Sequence, residues 1–404
     1  MILIRFSLFL TLAGLLSSSA SSAAQAPEIS HNRAGFIGDA ACISCHKGIS
    51  ETYEHTAHRL TSQLPTASSV LGSFKDGENV LTIVDPADGA EPALRFVMEA
   101  RKDGFYETAE TGWDSYLHKR SERIDVITGS GTRGQTYLYW HGDRLFELPV
   151  SYWTESRRWI NSPGYIDGTA EFSRVVNPGC LECHSTYIRP LSTDPNTNRF
   201  DRSTFVPGLS CETCHGPGAE HVRIESARHR SGSGGSTGIL NPAKFSRDRK
   251  VDLCAECHNG IQRTPLASAF SYVPGEPLDK YYKQLGSADV EHPDVHGNQV
   301  GLLQRSKCYA ASKTMTCSTC HDVHTAEQPA ESYSAKCLGC HTWQSCKISA
   351  KRGHRIVNEC IDCHMPVEQT NVIVSQTANN VVHARMRNHW IKIYPEAQAS
   401  PAKQ

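Results

Sequence analysis

Alternation of apolar and polar residues is confined to one part of this chain. NVLTIVD (79–85), ALRFVMEA (93–100), GFYETAE (104–110), RIDVIT (123–128), QTYLYW (135–140) and RLFELPV (144–150) set apolar or β-branched side chains at about every second position, the period of a half-buried strand. Between them, Lys102-Asp103-Gly104 and His141-Gly142-Asp143 are turn sequences. The pattern predicts a small antiparallel β region over 70–178, closed by the aromatic-rich SYWTESRRWINSPGY (151–165). Elsewhere neither the strand nor the helix period is sustained, so short helices and irregular segments are expected. One such helix should follow residue 42 and carry His55 and His58 on one face, three residues apart. The N-terminus reads differently: a basic start, an apolar run over 6–16 and small residues over 17–26 predict a cleaved secretory signal, residues 1–25. After it, no apolar segment is long enough to span a bilayer.

Where hydrophobic periodicity is missing, another pattern takes over. Cys-x-x-Cys-His occurs seven times: Cys42, Cys45, His46 (unit 1); Cys180, Cys183, His184 (unit 2); Cys211, Cys214, His215 (unit 3); Cys254, Cys257, His258 (unit 4); Cys317, Cys320, His321 (unit 5); Cys337, Cys340, His341 (unit 6); and Cys360, Cys363, His364 (unit 7). Two thiols three residues apart on one turn can add to the two vinyl groups of a haem. The next residue then sits under the iron as its proximal ligand. A zinc ribbon has no use for a histidine fixed at the fifth position, and seven repetitions exclude chance. Units 5 to 7 lie within 48 residues of one another (317–364), so they must be neighbours in any fold. The irregular spacing of the seven argues against a solenoid of equal repeats.

Composition supports this reading. Hydrophobic residues make up 39% of the 404, too few for a large conventional core, while sixteen cysteines far exceed ordinary usage. Covalently bound haems would supply the missing apolar mass, so folding should depend on their attachment. The formal charge of −1 becomes more negative once each haem adds two propionates, unless Lys and Arg pair with them, and nothing points to nucleic acid.

A low-spin iron needs a second axial ligand, and thirteen histidines remain after the seven proximal ones. The candidates are His58 (favoured over His55), His221 in CHGPGAEH, His324 in CHDVH, His354 just before unit 7, His389 in RNHWIKIYP, and one of His292 and His296. His324, three residues past a proximal histidine, cannot easily reach over the same ring and should bind a neighbouring haem. His118 is the weakest-supported seventh candidate, and His31, His141, His229 and His383 read as surface residues. Cys308 and Cys346 are left over and, in an oxidising compartment, should form a disulfide.

ACISCH with TAH downstream, RIDVITGSG, QTYLYW, LPVSYW, NSPGY, CLECH, CETCHGPGAEH, DVHGNQVGLL, KCYAASKTMTCSTCHDVH, CLGCH, CIDCHMP and RNHWIKIYP together resemble the multihaem cytochromes related to the tetrahaem cytochrome of ammonia oxidation and to hydroxylamine oxidoreductase. That resemblance implies closely packed haems, mostly with two histidine ligands, and periplasmic electron transfer. On matching positions it suggests His58, His221, His324, His354 and His389 as distal ligands. The chain departs from the group in having seven units, and it lacks the Cys-x-x-Cys-Lys unit of pentahaem nitrite reductases.

The expected fold is therefore a mainly α and irregular multihaem cytochrome c fold, low in regular secondary structure, with an inserted small antiparallel β region. Its expected divisions are 26–69 carrying haem 1, the β insertion 70–178, a core 179–366 carrying haems 2–7, and a tail 367–404 packed on that core. The expected function is periplasmic or outer-surface electron transfer by a soluble protein, at most peripherally membrane-bound and possibly a homo-oligomer. It would run between a redox-protein or quinol-oxidising donor and a downstream acceptor. The alternative is an oxidoreductase with one open haem acting on a small nitrogen or sulfur compound, with Tyr137, Tyr139, His141 and Arg144 as candidate lining.

Overall fold

The alternating stretch forms strands where its period demands them. In the computed structural model, which describes residues 34–399 apart from 84–93, 113–115, 166–168, 232–236, 261, 285–290, 294–296 and 378–379, the strands run β1 (Ser62–Gln63), β2 (Val80–Ile83), β3 (Leu94–Arg101), β4 (Gly104–Thr111), β5 (His118–Arg123), β6 (Val126–Thr128), β7 (Gly134–His141), β8 (Arg144–Trp153) and β9 (Arg158–Asn161). Strands β2-β3-β4-β5 form one antiparallel sheet and β1-β6-β7-β8-β9 another. The turn at Gly142-Asp143 joins β7 to β8 with His141 opposite Arg144, and Gly142 adopts a φ of 62°, which a hairpin turn requires and glycine tolerates. Along β3, Leu94, Phe96 and Met98 are buried while Arg95 is exposed. They meet Ile127, Tyr137, Leu148 and Val150 of the second sheet in one apolar cluster. Each such side chain contributes about 1.5–3 kcal/mol by burial, enough to give the insertion its own core. The candidate site residues Tyr137 and Tyr139 belong to that core, with the Tyr139 hydroxyl donating to the Phe172 carbonyl, and His141 and Arg144 flank the exposed turn. None of the four reaches the cavity described below.

Three hairpins lie outside the insertion: β10 (Ser185–Pro190) with β11 (Phe200–Pro207), β12 (Arg263–Pro265) with β13 (Tyr282–Gln284), and β14 (Val367–Thr377) with β15 (Asn380–Arg387). The last returns the chain to the insertion: the Ser375 hydroxyl donates to the Asn161 carbonyl and the Gly164 N–H to that of Val374. Helix and strand account for 30% and 28% of the described residues, and the rest is irregular, as the fold class expected. Among the described residues, no helix is long and apolar enough to cross a membrane. The signal segment 1–25, His31 and His296 lie outside the described residues.

The Cys-x-x-Cys-His units fall on short helices, Pro178–His184, Cys211–His215, Arg247–His258 and Cys360–His364 among them, where residues i, i+3 and i+4 share a face. Their starts are capped locally. The Asn177 side chain accepts from the Cys180 N–H, the Ser246 hydroxyl from that of Arg249, and Thr316 and Thr319 close a capping box before Cys317.

Candidate haem-binding site

All twenty-one residues of the seven units line one continuous cavity of about 5310 Å³. Shared over seven units this is roughly 760 Å³ each, within the 300–1,000 Å³ usual for a single ligand pocket.

Across this cavity histidine rings face each other in pairs. His46 and His221 have centroids 6.2 Å apart and planes 20° from parallel; for His215 and His324 the values are 6.1 Å and 26°, and for His321 and His389 6.2 Å and 25°. His258 and His58 stand 6.0 Å apart with planes at 80°. Imidazole nitrogen lies about 2.0–2.1 Å from a bound transition metal. With about 1.1 Å more from that nitrogen to the ring centre, two imidazoles on opposite sides of one metal have centroids about 6.2–6.4 Å apart. The observed spacing of 6.0–6.2 Å is close to what one metal between each pair would set.

Hydrogen bonds set which nitrogen faces the cavity. Nδ1 of His215 donates to the Leu240 carbonyl (3.0 Å), that of His221 to Thr237 (2.6 Å), that of His364 to Lys392 (2.8 Å) and that of His389 to Arg387 (3.1 Å). Nδ1 of His184 is bonded to Thr61. Once Nδ1 is used in this way, Nε2 is the ligating nitrogen, the arrangement that fixes the tautomer of metal-bound histidines. Burial pushes His58 and His389 down to about 4, with neighbouring histidines adding to the effect, so both rings are neutral and carry a free lone pair near pH 7.

The units also touch one another. The thiols of Cys42 and Cys211, Cys183 and Cys257, Cys254 and Cys317, and Cys337 and Cys360 lie beside one another. Cys214 lies within electrostatic reach of Cys254, and Cys320 of Cys337. Units 1 and 3 are further stitched by the Glu212 carboxylate, which accepts from the N–H groups of Ile37, Gly38 and Gly218, and by Asp39, which accepts from that of Cys211. Units 2 and 4 share a buried Glu182–Arg263 pair with the Tyr282 hydroxyl on the same carboxylate.

Four of the expected distal histidines, His58, His221, His324 and His389, thus stand opposite a proximal one, and His324 does so across a different unit from the one it follows. The structure does not bring two other candidates into the expected positions. His118 is exposed on β5, the charged edge strand HKRSER, and does not line the cavity. Cys308 and Cys346 are not bonded to each other: Cys308 lies near Cys320 and Cys337, whereas Cys346 lies near Cys363, so they serve different units. His354 packs edge-on against Trp343 at 5.5 Å, outside the cavity lining. His292 is described through its carbonyl, which accepts from the Asn298 amide at 3.0 Å. The anchoring carbonyls of Thr237, Leu240 and Lys392 carry no sequence signal, since any residue can supply them.

Comparison with known proteins agrees with the geometry. Residues 153–216 match the family described as cytochrome c554 and c-prime. The chain is similar to the C-type polyheme cytochrome OmcC of Geobacter sulfurreducens (28% identity, 40% of this chain and 22% of that one). It is also similar to the dissimilatory sulfite reductase MccA of Wolinella succinogenes (22%, 82% and 50%) and the multiheme cytochrome MtrA of Shewanella baltica (24%, 46% and 45%). The match thus spans half or less of each of these relatives. Among solved structures, the outer cell wall cytochrome OcwA shares the fold with a TM-score of 0.54 at 16% identity, over 90% of this chain and 81% of that one.

Proposed function

We propose, from the premise that this chain is a multihaem c-type cytochrome, that it binds seven haems c and passes electrons through them between redox partners in the periplasm or at the outer cell surface. The observation that carries this reading is the set of four histidine pairs 6.0–6.2 Å apart across a cavity lined by every Cys-x-x-Cys-His unit. Bound haem supplies reversible one-electron chemistry. The protein's part is to attach, orient and shield it. In this reading the fourteen thiols hold the macrocycles, and the axial pairs are His46 with His221, His215 with His324, His258 with His58, and His321 with His389. His354 and His296 supply further distal ligands. The thiol contacts order the units 1-3-4-5-6-7, with unit 2 joined as a spur to unit 4, and this order is the proposed electron path. The donor is a redox protein or quinol-oxidising partner. The kinship suggested by the motifs with the hydroxylamine oxidoreductase group belongs to the same reading.

Intact-mass measurement of the mature protein tests it: the expected mass exceeds the apoprotein by seven haems, and fewer than seven would overturn the count. Six distal histidines are assigned to seven haems; with a further side chain closing the seventh iron, carbon monoxide added to the fully reduced protein should leave the Soret band unchanged.

A second reading is favoured by one observation. Among the described residues no further histidine ring stands at about 6 Å from His341 or His364, and a relative matched over 82% of this chain bears the name of a sulfite reductase. One open haem at unit 6 or 7 would then act on a small sulfur or nitrogen compound. A carbon monoxide shift of about one haem in seven would select this reading over the first.

A further inference from the structure

The mechanism leaves unused a buried carboxylate beside the spur. Glu147, on β8, lines the cavity together with Arg174 and Cys180, and its side chain keeps only 19% of its surface exposed. Its surroundings are closed on every other side. The Arg174 guanidinium lies 3.4 Å from one carboxylate oxygen. The backbone N–H of Glu147 donates to the Arg174 carbonyl at 2.9 Å, and the Tyr165 hydroxyl donates to the Glu147 carbonyl at 2.8 Å. From β4 a second carboxylate, Glu107, faces the same region. It is fully buried, accepts from the Val150 N–H through one oxygen, and has no partner on the other. On the remaining side stands the Cys180 thiol, close enough to sense the charges of Glu147 and Arg174. Glu147 thus stands between the Arg174 cation and the attachment point of unit 2, with Glu107 on the far side of their shared neighbour Tyr165.

We propose that Glu147 is a proton-binding group coupled to the electron occupancy of the haem held by Cys180 and Cys183. The inference rests on the reading that unit 2 carries a haem. With haems held at units 2 and 4, whose Cys183 and Cys257 lie together, an electron passed from unit 4 to unit 2 would add one negative charge beside Glu147. One proton drawn from water converts the Glu147 carboxylate to the acid, and the local charge is unchanged. Oxidation returns both. The physical cause is that an added negative charge in a low-dielectric cavity raises the proton affinity of a nearby carboxylate. Burial already pushes Glu147 up to about 7, Arg174 opposing, so the uptake falls within the physiological range. Unit 2 therefore exchanges electrons together with protons.

The test is electrochemically poised infrared difference spectroscopy of the haem-loaded full chain, with redox titrations at several pH values. On reduction near pH 7 a protonated-carboxyl band appears, shifts down in D2O, and is missing in Glu147→Gln. One haem's midpoint potential falls by up to about 59 mV per pH unit in the wild type, and this slope is lost in Glu147→Gln. Should that variant fail to fold, Arg174→Gln serves. With the opposing cation gone, Glu147 is protonated in both redox states near pH 7, and the band returns only at higher pH. An unchanged band and slope in either variant, with seven haems present by mass, overturns the inference alone. Loss of the unit-2 haem from the wild-type protein overturns the reading beneath it.

Discussion

Replacing His389 by Ala opens one coordination position without moving the backbone that holds it. The main chain here is fixed by neighbours: the Ser306 hydroxyl donates to the His389 carbonyl, the Ile391 N–H donates to Ser306, and the Asn388 side chain bridges the Glu291 carbonyl and the Glu368 carboxylate. The substitution thus deletes an imidazole whose centroid lies 6.2 Å from that of His321 and leaves a hole of its own size. Among the described residues the nearest other histidines, His58 and His258, already face each other, so no protein ring is spare to fill it. Losing the ring and its hydrogen bond to Arg387 costs about 2–4 kcal/mol, within the range for large-to-small changes at buried sites. The spectroscopic effect is sharper: about one-seventh of the haem absorbance should become carbon monoxide-sensitive after reduction, and free imidazole should reverse this. His118→Ala, at an exposed strand position, should change nothing. A His389→Ala protein that binds no carbon monoxide, or in which the change spreads over several haems, would refute the pairing.

Three further outcomes follow from other parts of the structure. Glu212→Ala strips an acceptor from three backbone N–H groups and should cost about 3 kcal/mol or more; limited proteolysis should then cut ahead of Cys42 faster than in the wild type, with seven haems retained. Burial raises the pKa of Glu107 well above its unfolded value, so the folded state keeps a proton that the unfolded chain releases. Its contribution is whole below about pH 4.5 and declines as pH rises towards the folded pKa, by about 1.4 kcal/mol per unit. Denaturant titrations of Glu107→Gln from pH 5 to 8.5 should therefore show a flatter profile, and a constant offset from wild type would contradict this. Alkylation of the denatured, unreduced protein followed by mass measurement should label two thiols, Cys308 and Cys346; no label would mean they are joined.

What could be read from the residues divides along the range of the interaction involved. The attachment units were legible because their chemistry is complete within five residues. The insertion strands were legible because alternation is local, and β3 buries every second residue as its pattern required. Strand β5 was missed because HKRSER has no apolar face: as the outer strand of its sheet it is covered with charge, which also protects an edge, and it packs through polar side chains such as Arg120 over Phe172. His118 was misjudged for the same reason, since a histidine in a charged stretch shows no sign of which sheet edge it decorates. Ligand pairing was illegible because it joins residues as distant as His46 and His221 or His58 and His258, and only the fold brings them together. Of the two cavity-lining neighbours His55 and His58, it is His58 whose ring faces His258, and that partner, in unit 4, could not have been named.

The order of the units in space differs from their order in sequence, and the difference has a cause. Between units 1 and 2 the chain leaves to build the β insertion, and unit 3 then returns to unit 1, held there by Glu212 and Asp39. Unit 2, arriving directly from the insertion, is left to join unit 4 through Cys183 and Cys257 and the Glu182–Arg263 pair. The helix Arg247–His258 consequently becomes the junction, its two thiols touching Cys317 on one side and Cys183 on the other. A spur can hold or spend an electron without interrupting a path that continues past it. That makes unit 2, with the insertion's acids beside it, the place where chemistry other than through-conduction is physically cheapest to add. On the proposed reading the insertion then does more than cover the haems: by delaying unit 2 it would create the branch, and by lending Glu147 it would make the branch responsive to protons.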